Sequence, residues 1–76
     1  MKEHPNISAN PDVMLGAPCI RGTRVTVANI LRQVAAGRTV EQICQDYPYL
    51  EPRSVQDALE FAADLSSGET HDLLAS

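Results

Sequence analysis

Chemistry in this chain starts with arginine. Arg21 and Arg24 flank Gly22-Thr23 inside the stretch CIRGTRVTV, residues 19–27, and Arg32 and Arg38 follow. A guanidinium presents a planar fork of donors that matches phosphate or carboxylate. The ridge therefore suits an acidic partner, nucleic acid first among them. A plainer reading is a surface hairpin kept soluble by charge at its turn. A third gives Arg24 a structural task, bonding a carboxylate such as Asp46 or a helix end.

Catalytic constellations find no support. His4 and His71 stand near the two ends, without a carboxylate or nucleophile at a recognisable spacing, and are expected in mobile, solvated segments. Cys19 and Cys44 form neither a CxxC nor a Cys/His ligand pattern, so buried thiols in a reducing compartment are expected rather than a disulfide or a zinc site. Gly16, Gly22 and Gly37 are separate turn glycines and build no phosphate-cradling loop. No enzyme activity, metal or organic cofactor is expected.

Charge is divided along the chain. Residues 1–38 carry five cations against two carboxylates, a formal +3, and residues 39–76 carry one cation against eight carboxylates, a formal −7. Each half is suited to a different partner. With 76 residues, a single domain buries only about 60% of its unfolded surface, and self-association is the expected supplement. No apolar run is long enough to span a membrane and the N-terminus lacks the apolar core of a signal peptide. A cytoplasmic location is expected.

These residues need elements to position them. The N-terminal part is irregular, with turn signals at Asn10-Pro11-Asp12 and Gly16-Ala17-Pro18. A β-hairpin is expected over about 18–27, turning at Arg21-Gly22, with Val25 and Val27 on one face and Arg24 and Thr26 on the other. Three helices follow. The first, about 27–36, carries Val27, Ile30, Leu31, Val34 and Ala35 as one apolar stripe, and Gly37 ends it. Thr39 and Gln42 form a capping box for the second, whose stripe is Val40, Ile43, Cys44 and Tyr47. Pro48 stops it, and Tyr49 and Leu50 are expected to fold onto the core.

Pro52 suits the first position of the third helix, with Val55, Ala58, Leu59 and Ala62 as its buried face and Phe61 beside it as a core or dimer contact. Ser66-Ser67-Gly68 is expected to close this helix. The domain is thus residues 1–66, and residues 67–76 form a short acidic, flexible tail.

The second and third helices are expected to pair as a helix-turn-helix, with a connection longer than the usual three or four residues and Pro48 in place of the customary glycine. A recognition helix reads bases from its first turn, where Arg53, Ser54 and Gln56 stand. Asp57, Glu60 and Asp64 follow on the expected outward face, and carboxylates there oppose a phosphate backbone. Only the first turn is therefore expected to enter a groove, with Arg21, Arg24, Arg32 and Arg38 on the backbone. The same acidic face, extended by Glu69 and Asp72 and anchored by Leu73 and Leu74, suits a basic protein surface. The bland alternative is a solvated helix face and a frayed terminus.

The order of these motifs resembles a known family. Pro11-Asp12, Gly16 with Pro18, Gly22-Thr23-Arg24 with Val25 and Val27, Gly37, and Asp46-Tyr47-Pro48 with Leu50 match the bacterial and archaeal family catalogued as domain of unknown function 433, over about residues 7–63. The resemblance implies a mainly α fold, a small three-helix, homeodomain-like helix-turn-helix with a short N-terminal β-hairpin, usually dimeric. It further implies an antitoxin that binds operator DNA as an autorepressor and neutralises a PIN-like ribonuclease toxin. Glu51 stands where the family often has a Thr, a weaker N-cap, and Ala17 where a basic residue is frequent. The rival expectation is a dimeric protein-interaction module without DNA binding.

Overall fold

A computed structural model describes the backbone of residues 4–75 and the side chains of residues 4–67. Two short strands, β1 (Ile7–Ser8) and β2 (Cys19–Ile20), precede three helices, α1 (Val27–Ala35), α2 (Val40–Asp46) and α3 (Pro52–Ala75). The fold is mainly helical with a small antiparallel β element, as the sequence predicts.

The β element is built differently in detail. Ile7 pairs with Ile20 and Ser8 with Cys19, so the partner of β2 comes from the segment read as irregular. The expected hairpin over 18–27 keeps its turn, with the Ile20 amide donating to the Val25 carbonyl (2.9 Å) and the Thr23 amide to that of Ile20 (3.0 Å). Its arms share only one isolated bridge, Cys19 with Thr26. Gly22 takes φ +79° at that turn, a conformation that costs other residues about 1–2 kcal/mol. Two-residue strands gain little from their own ladder. They hold because Ile7, Ile20 and Val25 are buried against the helices.

α1 begins at Thr26, whose hydroxyl accepts from the Asn29 amide (3.0 Å), a cap the sequence reading passed over. Its stripe divides. Val27 and Ile30 are buried, whereas Leu31, Val34 and Ala35 face solvent. Nine residues wind through two and a half turns, and the remaining elements cover only one side of them. α2 carries the full capping box of Thr39 and Gln42, and Ile43 is its fully buried anchor.

α3 is the central strut, in contact with α1, α2 and both strands. Val55, Ala58 and Ala62 are buried and Leu59 and Phe61 pack beside them. The helix does not close at Ser66-Ser67-Gly68 but runs to Ala75. A glycine inside a helix costs about 1 kcal/mol, and no proline follows to force a stop. In the turn before α3, Leu50 is buried as expected, but Tyr49 is 64% exposed. It rests edge-on against Tyr47 (centroids 6.1 Å apart) instead of entering the core.

Candidate functional site

The basic residues fall into two groups. Arg21, Arg38 and Arg53 are committed within the fold. Arg21 Nε donates to the Pro5 carbonyl (2.6 Å), tying the turn to the N-terminal segment. Arg38 donates to the Asp46 carboxylate and to the Gln42 carbonyl (3.2 Å), bracing the last turn of α2, where a cation also complements the negative end of the helix dipole. Arg53 Nε donates to Asp57 Oδ1 (3.1 Å), one turn along α3. Arg24 and Arg32 are exposed and make no hydrogen bond or ion pair among the described residues. The brace on Asp46 thus belongs to Arg38, a correction to the structural role considered for Arg24. Ser54 is half-buried and Gln56 exposed in the first turn of α3.

The acidic face of α3 also needs correction. Asp57 points inward and is 8% exposed, because the N-terminal segment crosses α3 there. Its carboxylate accepts from the Asn6 amide and from Arg53. The Asn6 hydrogen bond, aided by Arg53, holds its carboxyl below the ordinary 3.8, outweighing the upward push of burial. Asp57 is therefore a clasp and not a docking carboxylate. Asp64 is half-buried, with His4 Nε2 lying 2.7 Å from its Oδ2. The His4 side chain is buried and its ring meets Phe61 edge-on (5.4 Å, 87°). So His4 is not in a mobile end, and Phe61 has an internal partner. Glu60 is exposed and engaged in an interaction of its own. The side chains of Glu69, Asp72, Leu73 and Leu74, like that of His71, lie outside those described.

Two surface features remain. Several large apolar side chains stay exposed, namely Met14 (47%), Leu15 (100%), Leu31 (41%), Val34 (37%) and Leu65 (51%). Leu31 and Val34 are three residues apart on one face of α1. Met14 and Leu15 sit in a tight turn over residues 14–16 with φ +49° and +58°, a left-handed conformation that non-glycine residues seldom adopt.

The second feature is a cleft of about 500 Å³ lined by Ser8, Asn10, Val13, Cys19, Gly22, Thr23, Arg24 and Tyr49. It opens where β1, the turn at Gly22 and the α2–α3 connection meet. Of its lining, only Arg24 was singled out by sequence as a binding residue. Ser8 and Asn10 gave no signal, because nothing in the sequence showed that their segment returns to β2. The Tyr-Pro-Tyr connection was visible, but an aromatic beside a proline reads as core as easily as surface.

A family model described as Protein of unknown function (DUF433) matches residues 7–62, which include both strands, α1, α2 and the packed part of α3. The chain belongs to this family. The chain is also similar to the "Uncharacterized protein y4eO" of Sinorhizobium fredii (strain NBRC 101917 / NGR234), with 36% identity over 56 residues. The alignment covers 74% of this chain and 25% of that protein. The match thus spans about a quarter of the relative's length. No solved structure matches. The DUF433 boundaries include the Asn6-flanked strand β1 and end just after the buried face of α3, so the family unit coincides with the packed core.

Proposed function

We propose that this DUF433 chain is a self-associating protein-interaction module, the antitoxin half of a toxin–antitoxin pair, which neutralises a PIN-like ribonuclease by contact. The observation that carries this reading is the exposed pair Leu31 and Val34 on α1. They continue the apolar stripe that begins with the buried Val27 and Ile30. A helix with apolar residues left in water gains by covering them with a second copy. The internal use of Arg21, Arg38 and Arg53 supports the same reading, because a guanidinium already held by a carboxylate or carbonyl has fewer donors and less reach left for a phosphate.

A second reading, an autorepressor bound to operator DNA, is favoured by one arrangement. α2, a short connection and α3 present Ser54 and Gln56 in the first turn of the helix that would enter the groove. Arg24 and Arg32 would then supply phosphate contacts. A fluorescence-anisotropy titration with DNA from upstream of the gene, beside a scrambled duplex at two salt concentrations, separates the two. The contact reading expects equal, weak binding to both duplexes by the chain alone. Salt-sensitive preference for the upstream DNA would overturn it in favour of the repressor.

A further inference from the structure

The cleft around Arg24 has no part in the contact reading, and its lining has a definite chemistry. One full positive charge enters it, from a guanidinium with no partner among the described residues, and no carboxylate lines it. The turn that carries Arg24 is fixed from within. Thr23 Oγ1 donates to the Ile20 carbonyl (2.7 Å) and accepts from the Val25 amide (3.1 Å). The arginine thus projects from a rigid base, so little of its backbone freedom remains to be lost on binding.

Neutral donors stand around it. Asn10 Oδ1 already accepts from the Asp12 amide (2.9 Å), which assigns its Nδ2–H₂ as the group left to donate. Ser8 and the Tyr49 hydroxyl add two more. A carboxylate offers two oxygens, whereas a phosphate monoester offers three and uses a larger set of donors. The donor count therefore favours phosphate.

Tyr49 gives the cleft a second function. Its ring is 64% exposed yet held from behind by edge contact with Tyr47, whose hydroxyl accepts from Asn29 Nδ2 of α1 (3.1 Å). An open, braced aromatic ring beside an unpaired arginine is the combination that binds a flat base next to its phosphate. The cleft volume falls within the range of small-ligand sites.

We infer that the Arg24–Tyr49 cleft binds a nucleoside 5′-phosphate, with Arg24 on the phosphate and Tyr49 stacked on the base. The ligand is either a free nucleotide or the 5′-phosphorylated end of a single strand. Both present the same chemistry. The site does not depend on the contact reading, since Leu31 and Val34 do not line it.

The test is an NMR titration of the full chain with adenosine 5′-monophosphate, adenosine, inorganic phosphate, and a short single strand with and without its 5′-phosphate. Shifts are expected at Ser8, Asn10, Gly22–Arg24 and Tyr49, with the monophosphate binding about tenfold or more tightly than adenosine or phosphate alone. Arg24→Ala and Tyr49→Ala should each weaken it about tenfold. Neither residue is buried in the core, and the spectrum of each variant reports directly that it stays folded. Binding of the phosphorylated strand only would identify a strand end as the source, and binding of both would admit the free nucleotide. No shift in these residues up to about 10 mM of any phosphate-bearing probe, or equal binding by Arg24→Ala, would overturn the proposal.

Discussion

At the residue scale the most informative side chain is Asp57. It joins the N-terminal segment to α3 by accepting from Asn6 and Arg53. Replacement by alanine leaves the half-buried Asn6 amide without its acceptor and Arg53 without its partner, a loss of about 1–2 kcal/mol. Chemical denaturation of Asp57→Ala should show that loss. The pH dependence follows from the lowered carboxyl. The unfolded chain takes up the proton near 3.8, while the folded chain resists it to lower pH. The contribution of Asp57 is thus full above that value and is lost as pH falls through the folded one. Asp57→Asn should remove this part of the acid sensitivity, measured as midpoint against pH. His4 makes a second, separate tie through Asp64 and Phe61, and His4→Ala should cost about 1–2 kcal/mol in the same assay.

Neither tie was legible in the sequence. His4 and Asp64 are 60 residues apart and Asn6 and Asp57 are 51 apart. Nothing local marks such pairs, and helical spacing alone placed Asp57 on the outward face. Arg24 is a different case. Its exposure was readable from strand alternation, whereas the cleft beside it required knowing that Ser8 returns to β2.

At the element scale, local chemistry was read more fully. The capping box at Thr39, the glycine after α1, the stop at Pro48 and the start at Pro52 all lie within a few residues of what they control, and the helices begin and end accordingly. The far end of α3 was misread because Gly68 is a weak stop without a following proline. Strand β1 was missed because two residues between turn signals carry no period. The caps give a direct test. Thr39→Ala removes the side-chain acceptor for the Gln42 amide (3.1 Å) and Thr26→Ala the acceptor for that of Asn29. Each should cost about 1 kcal/mol, read as a lower thermal midpoint with the fold unchanged.

At the scale of the whole molecule, a small core and an uncovered apolar face belong together. Ile30, Ile43 and Val55 are the only fully buried large side chains among those described, so the margin of the isolated chain is narrow. Covering Leu31 and Val34 with a second copy removes apolar area from water at about 25 cal/mol per Å², and links folding to association.

The decisive measurement is sedimentation velocity over a range of protein concentrations, for the natural chain and for Leu31→Glu. Leu31 is exposed, so the substitution leaves the core of the single chain intact, as circular dichroism should verify. The account predicts a dimer for the natural chain and a monomer for Leu31→Glu. A natural chain that stays monomeric throughout, or a dimer unaffected by the glutamate, would contradict it.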